Sequence, residues 1–132
     1  MRPEEKVRQA LIQELIAFGF PKELIVVEKE IGEVSSIQNA PKRRVDILCF
    51  MKKGDVLLPL LVIECKAVAL SDKALEQVLG YNYYVNASFV AIANAQGMVI
   101  VDREGNEHVL RSYTDLVRSA SNACIPAAHS ES

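Results

Sequence analysis

The sequence is poor in the residues that build zinc centres and disulfide frameworks. Its 132 residues hold only three cysteines and two histidines. The cysteines, Cys49, Cys65 and Cys124, are odd in number and far apart. His108 and His129 lack the spacing of metal ligands. A zinc centre is therefore not expected, and this sparse cysteine usage suits a reducing compartment. Cys49 and Cys65 lie in apolar runs, where an unpaired cysteine behaves as a small hydrophobic residue.

Long apolar runs and an excess of positive charge are also missing. The apolar runs end well short of the roughly 20 residues that a membrane span needs, and the N-terminus is charged. We therefore expect neither a membrane segment nor a signal peptide, and a cytoplasmic location is the default. The net charge is −2, so any affinity for DNA must come from a local basic patch. No glycine-rich phosphate loop or nucleophile elbow is found, which argues against a small-molecule enzyme.

The composition and the order of apolar patterns predict a single packed α/β domain. Half of the residues are hydrophobic, which provides a sizeable core and argues against disorder. We expect residues 1–125 to form one domain and residues 126–132 a disordered tail. The patterns predict a helix, three strands, a second helix, two strands and a last helix, at residues 3–18, 24–31, 44–50, 56–66, 71–85, 88–95, 98–101 and from 112 onward, with a polar turn at 51–55. The strand at 24–31 is placed near the sheet edge, and residues 32–42 are expected to be irregular.

The stretch from residue 44 to residue 66 carries charged side chains inside apolar strands. Two apolar runs flank a polar turn with Gly54, which predicts a hairpin of central strands. A hairpin centred on Asp55 places Asp46 directly opposite Glu64. Because strand side chains alternate, Lys66 is predicted to share the face of Glu64. Two carboxylates and one ammonium group should therefore converge, unless the register slips by one residue.

Two neighbouring carboxylates need a compensating cation. Lys66 can neutralise one of them, and a hard divalent ion that prefers oxygen ligands, Mg²⁺ or in its place Mn²⁺, would compensate the rest. The alternative is an ion pair between a carboxylate and Lys66 that serves the structure alone.

These residues resemble the motif of the PD-(D/E)XK nuclease superfamily. Asp46, a gap from residue 47 to residue 63, and then Glu64-Cys65-Lys66 match its pattern, although Val45 stands where the motif name has proline. More narrowly, the chain resembles the N-terminal nuclease domain of the restriction (motor) subunit of type I restriction enzymes, over about residues 2–102. The matching pieces are Arg2 to Gln9, Arg44 to Leu48, Ile63 to Lys66, and Gln77 with Tyr81. No motor segment follows within the 132 residues.

The resemblance implies a restriction-endonuclease-like core, with a central mixed sheet flanked by helices, and a metal-dependent DNA endonuclease of the restriction or DNA-processing type. Asp46, Glu64 and the backbone carbonyl of Cys65 would hold Mg²⁺. Lys66 would orient the attacking water or stabilise the developing charge. The competing hypothesis is a catalytically silent nucleic-acid-binding or assembly module with the same fold.

Further candidate residues lie on the two predicted helices. In related nucleases an acidic residue of the first helix can approach the metal, so Glu5 is a candidate ligand. Glu4 is the second candidate, and the alternative is that both residues only complement the positive end of the helix dipole. Gln77 and Tyr81, one turn apart on the second helix, would support positioning, or else serve helix packing. Gly80 in that helix suggests a close approach of another backbone.

A basic triplet, Lys42, Arg43 and Arg44, stands directly before Asp46. Such a triplet is expected to hold the DNA phosphate backbone, and a solvated run of charges is the alternative for Lys42 and Arg43. The partners implied are DNA and either a second copy of the chain or motor and specificity subunits, because a domain with one site cuts one strand.

Overall fold

The protein is built on one six-stranded sheet with helices on both faces. The computed structural model describes residues 2–123, and the tail predicted at 126–132 lies outside the described residues. In chain order the elements are α1 (Pro3–Ala17), a 3-10 turn (Lys22–Leu24), β1 (Ile25–Glu30), α2 (Ile31–Val34), β2 (Arg44–Lys53), β3 (Val56–Cys65), α3 (Asp72–Val85), β4 (Phe89–Asn94), β5 (Gly97–Asp102), β6 (Glu107–His108) and α4 (Tyr113–Ala123).

The strands follow their chain order across the sheet, from β1 at one edge to β6. Neighbouring strands are antiparallel except β3 and β4, which run parallel because α3 carries the chain back across the sheet between them. The predicted mixed sheet flanked by helices is confirmed, and so is the edge position of β1. No helix in the described part of the chain is long and apolar enough to cross a membrane.

Two separate cores cover the two faces of the sheet, because alternate side chains of each strand point in opposite directions. One face packs against α1 and α4 through buried residues that include Leu11, Leu15, Leu116, Ile47 and Ile63. The other face packs against α2 and α3 and includes Ile31, Val78, Val85, Leu48 and Val62. The central strands β2, β3 and β4 are thus buried on both sides, as their continuous apolar runs predict.

The β2–β3 hairpin has the predicted register at its far end and a different one at its turn. Ile47 pairs with Ile63, as expected for a hairpin centred on Asp55. Near the turn Lys53 pairs with Val56, so Gly54 and Asp55 form a two-residue turn, with Gly54 at a φ of 63°. A bulge between the two registers absorbs one extra residue of β3. The predicted turn at 51–55 and its centre were therefore wrong, because β2 continues to Lys53, but the bulge restores the predicted pairing near the site.

The second helix has the ends that its sequence predicts. The Ser71 hydroxyl accepts a hydrogen bond from the Ala74 N–H at 3.1 Å, and Asn86 ends the helix with a φ of 60°. The buried Asn82 side chain then exchanges two hydrogen bonds with the backbone of Ala87, at 2.8 and 3.0 Å. The close approach predicted at Gly80 is wrong, because no atom lies within 4 Å of a Cβ placed there.

Besides the 3-10 turn, two short elements were not predicted. The connection that begins after β1 was expected to be irregular, but it opens with the single turn of α2, whose Ile31 is fully buried against α3. At the far edge of the described sheet β6 adds two residues that pair with Ile100 and Val101. Both are too short to show a hydrophobic period of their own.

Candidate active site

β2 and β3 bring Asp46 and Glu64 together where the regular pairing of the hairpin ends. Asp46 directly precedes Ile47 and Glu64 directly follows Ile63, which together form the last matched pair. Asp46 Oδ2 accepts a hydrogen bond from the Cys65 N–H at 2.7 Å, so its carboxylate reaches across to β3. Glu64 is only 8 % exposed. Burial raises the pKa of the Glu64 carboxyl, and the negative charge of Asp46 raises it further.

The edge strand is distorted beside Asp46. The β1–β2 ladder is regular at Val27 with Ile47 and at Lys29 with Val45, and the pair between them, Glu28 opposite Asp46, is missing. Glu28 has a φ of 52°, in the left-handed region that non-glycine residues rarely adopt. Strained residues of this kind are common next to functional sites.

Arg43 is the cation that neutralises Glu64. Its Nη2 lies 3.0 Å from Glu64 Oε2, and its guanidinium carbon stands 4.3 Å from the centre of the Tyr81 ring. The positive charges of Arg43 and Lys66 both oppose the upward shift of the Glu64 pKa, but burial prevails and the pKa stays raised. Arg43 Nε is buried without a hydrogen-bond partner among the described residues. The Arg43 guanidinium is therefore held by one hydrogen-bonded oxygen and one aromatic face.

Lys66 forms no ion pair with either carboxylate among the described residues, so the ion pair named as the structural alternative is not found there. β3 ends at Cys65, so Lys66 lies outside the strand, with its N–H donating to the Ala93 carbonyl at 2.7 Å. In the part of the chain that the structure describes, its ammonium group forms no ion pair. Lys66 still lies near enough to lower the pKa of Glu64, and it borders an open groove of about 600 Å³ between α1 and the β4–β5 turn.

The three residues of the basic triplet have different surroundings. Arg43 forms an ion pair with Glu64, so its charge is engaged within the protein. Arg44 contacts Glu30 at 3.3 Å and Glu28 at 3.8 Å. Lys42 is exposed and, within residues 2–123, has no ion-pair partner. Lys42 is therefore the member of the triplet whose charge is free for a phosphate group.

Glu5, the candidate ligand on α1, is engaged by its own helix. Arg8 forms an ion pair with it, and Gln9 donates a hydrogen bond at 3.2 Å. The hydrogen bond from Arg8 lowers the pKa of the Glu5 carboxyl. Among the described residues no group of three His, Cys, Asp or Glu side chains could hold a metal, so the structure does not add Glu5 to Asp46 and Glu64.

Arg8 is a residue that sequence reasoning passed over. Its guanidinium is largely buried and also pairs with Glu28 on β1 at 2.7 Å, which ties α1 to the edge strand. The spacing of three residues from Glu5 on a helix was the available signal.

The two α3 candidates differ in position. Tyr81 is half-buried and carries the Arg43 guanidinium on its ring, so the structure brings it to the site. Gln77, one turn earlier, is exposed and lies beside Ser71 and Lys73.

The two carboxylates form a donor set that fits a hard divalent cation, and the two buried thiols are unreactive. Mg²⁺ is commonly held by one or two carboxylates, with water and substrate phosphates completing its coordination. Asp46 and Glu64 offer two such carboxylates at one strand end, and the Cys65 carbonyl remains a predicted ligand. Burial raises the pKa of the Cys49 and Cys65 thiols to about 12, so both stay protonated at neutral pH, as expected for small core residues.

Comparison with known proteins identifies the family. A family model described as type I restriction enzyme R protein N terminus (HSDR_N) matches residues 3–116. No curated protein and no solved structure matches the chain significantly. The matched residues run from α1 into α4 and include every candidate residue discussed above. The chain therefore belongs to the family of type I restriction enzyme R protein N termini.

Proposed function

We propose that this chain is a metal-dependent DNA endonuclease domain that hydrolyses phosphodiester bonds in a restriction or DNA-processing system. The observation that carries the proposal is the meeting of Asp46 and Glu64 at the end of two central strands, where burial and mutual repulsion raise the pKa of Glu64. A structural ion pair leaves a second adjacent carboxylate without a purpose, whereas a divalent cation can use both. Membership of a restriction-enzyme family supports the same reading.

Each residue of the site has a definite task in this proposal. Asp46 and Glu64 hold Mg²⁺, which supplies water activation and neutralisation of phosphate charge when bound. The unpaired ammonium group of Lys66 orients the nucleophilic water or stabilises the charge that develops on the phosphate. Lys42 binds a neighbouring phosphate of the strand. The groove beside Lys66, with a volume of about 600 Å³, is lined by neither Asp46 nor Glu64, so it does not form part of the proposed metal site.

A nicking assay on supercoiled plasmid with Mg²⁺ tests the proposal. Asp46→Asn keeps an oxygen that can accept the Cys65 N–H and removes only the charge, so it is a cleaner variant than Asp46→Ala. We expect Asp46→Asn to lower nicking to background and Lys66→Ala to lower it by about 10²–10³-fold.

The matched control is Asp55→Asn, the same substitution in the exposed turn of the same hairpin. It should nick plasmid at the wild-type rate. Nicking by purified Asp46→Asn protein as fast as by the wild type would refute the proposal.

A second candidate function is a nucleic-acid-binding or assembly module without catalysis. Two observations favour it: Arg43 already neutralises Glu64, and the described residues contain no third acidic ligand. A bound metal raises the melting temperature by mass action. A module that binds no metal keeps the same melting temperature when Mg²⁺ or Mn²⁺ is added. Thermal melting with and without metal therefore separates the two functions.

A further inference from the structure

We infer that Arg43 and the metal ion compete for the Glu64 carboxylate, so that metal binding releases the Arg43 guanidinium toward the DNA phosphate. The inference deepens the proposed function and rests on its metal site. It assigns Arg43 a positioning and regulatory role that differs from that of a plain backbone-binding arginine.

The first support is the direct contact. Arg43 Nη2 donates a hydrogen bond to Glu64 Oε2 at 3.0 Å. Glu64 is buried and lies beside a second carboxylate, Asp46. A cation is needed there whenever Glu64 is ionised. Lys66, the other nearby cation, forms no ion pair in the described part of the chain. Arg43 thus stands in the place where a metal ligated by Glu64 would bring its charge.

The second support is that the resting contact is incomplete. An arginine that binds a carboxylate in its preferred way uses two parallel N–H donors. Arg43 uses one donor on Glu64, while its buried Nε has no partner among residues 2–123. The guanidinium therefore leaves hydrogen-bonding capacity unused, and this makes its exchange for another cation easier.

The third support is that Arg43 cannot move far when it is displaced. Its carbonyl accepts the Ile31 N–H at 2.9 Å, and its own N–H donates to the Pro41 carbonyl at 2.9 Å. The Tyr81 ring lies under the guanidinium at 4.3 Å and attracts the positive charge. A displaced Arg43 therefore stays at the site with free donors, which suit a phosphate oxygen of DNA.

Metal titration without DNA tests the inference. Calorimetry and thermal melting with Mn²⁺ and Mg²⁺ compare the wild type with Arg43→Gln at neutral pH. Removing the competitor should tighten metal binding about tenfold, within the usual range of coupling between two sites. Tyr81→Leu, which loses the ring under the guanidinium, should tighten it about twofold, and Tyr81→Phe should leave it unchanged.

The control for a general charge effect is Arg44→Gln, which removes the same charge one residue further along. Its metal affinity should change by less than about twofold, because its guanidinium faces Glu30 and Glu28 instead of Glu64. Metal binding by Arg43→Gln that equals or falls below that of the wild type overturns the inference.

The two proposals fail in distinguishable ways. Asp46-dependent nicking together with equal metal affinities of wild type and Arg43→Gln leaves the endonuclease standing and removes the competition. Tighter metal binding by Arg43→Gln without any nicking keeps the competition and removes the catalysis. Absence of metal binding in both proteins overturns both proposals.

Discussion

Asp46 has a structural task as well as a chemical one. Its carboxylate accepts the backbone N–H of Cys65 at 2.7 Å, a short charge-assisted hydrogen bond between β2 and β3. The same charge raises the pKa of the buried Glu64 carboxyl. One residue therefore stabilises the hairpin through a hydrogen bond and destabilises the metal-free protein through repulsion.

These two contributions can be separated by substitution. Asp46→Ala removes the acceptor and leaves the Cys65 N–H without a partner, so it should lower the free energy of unfolding by about 1–3 kcal/mol. Asp46→Asn keeps an acceptor and removes the repulsion, so the metal-free variant should be at least as stable as the wild type. Urea denaturation in the presence of a chelator measures both, and equal losses in the two variants would contradict this division.

Glu64 makes the stability of the metal-free protein depend on pH. Its pKa is raised above the ordinary value of 4.5 in the folded state, so the folded protein binds this proton more tightly than the unfolded chain does. The stabilising contribution is present below pH 4.5 and is lost as pH rises through the folded pKa. We expect Glu64→Gln to remove a slope of up to about 1.4 kcal/mol per pH unit above pH 4.5. Denaturant midpoints of the wild type and Glu64→Gln, measured above pH 4.5 in a chelator, give the difference. The same pH dependence in both proteins would contradict the assignment of this slope to Glu64.

At the scale of elements, α3 positions Tyr81 and, through it, the Arg43 side chain at the site. Its Ser71 cap and its Asn82 bridge to Ala87 set where the helix starts and where β4 begins. Tyr81 then lies opposite Glu64 and carries Arg43 between them. A substitution that shifts this helix should therefore change the contact between Arg43 and Tyr81 more than it changes the positions of Asp46 and Glu64, which lie on β2 and β3.

Two glycines that look alike in the sequence should respond oppositely to alanine. Gly80 lies in the exposed part of α3, with no atom within 4 Å of a Cβ placed there, so Gly80→Ala should stabilise the protein by about 0.5–1 kcal/mol. Gly54 has a φ of 63° in the β2–β3 turn, so Gly54→Ala should destabilise it by about 1 kcal/mol. Thermal melting of the two variants checks the contrast, and a loss of stability in Gly80→Ala would mean that α3 packs differently.

Elements with a regular apolar pattern or a helix-capping residue were predictable from the sequence, and elements without either were missed. The apolar runs of β2 and β3 predicted the hairpin but not the place of its turn, and the Ser71 cap predicted the start of α3 correctly. The bulge was not predictable, because Leu60 and Leu61 are both buried and both phases of alternation look equally apolar. Arg43 lies in the connection before β2, where no periodicity gives a side-chain direction, and Lys66 follows the end of β3, where alternation no longer applies.

At the scale of the whole molecule, charge limits how DNA can be bound. The net charge is −2, and Arg8, Arg43 and Arg44 are paired with carboxylates. Lys42, Lys66 and Lys6, which borders the same groove as Lys66, carry positive charge without an ion pair in the described part of the chain. The general field of the protein therefore gives little attraction for a polyanion.

The salt dependence of DNA binding should accordingly be shallow. Two or three neutralised phosphates correspond to a slope of about −2 to −3 in a plot of log affinity against log salt concentration. Lys42→Gln should reduce the magnitude of that slope by about one, and Lys53→Gln in the distal hairpin should leave it unchanged. Fluorescence anisotropy with duplex DNA in a chelator measures the slope, and a value steeper than about −6 would reveal a larger basic surface.

The distortion at Glu28 also protects the open side of the sheet. A long, flat outer strand is a template on which further strands can be added, and such addition leads to fibres. In β1 the left-handed Glu28 breaks the row of backbone groups, and Arg8 and Arg44 crowd it with charge. We therefore expect the residue that interrupts the ladder beside Asp46 also to oppose the addition of further strands at the β1 edge.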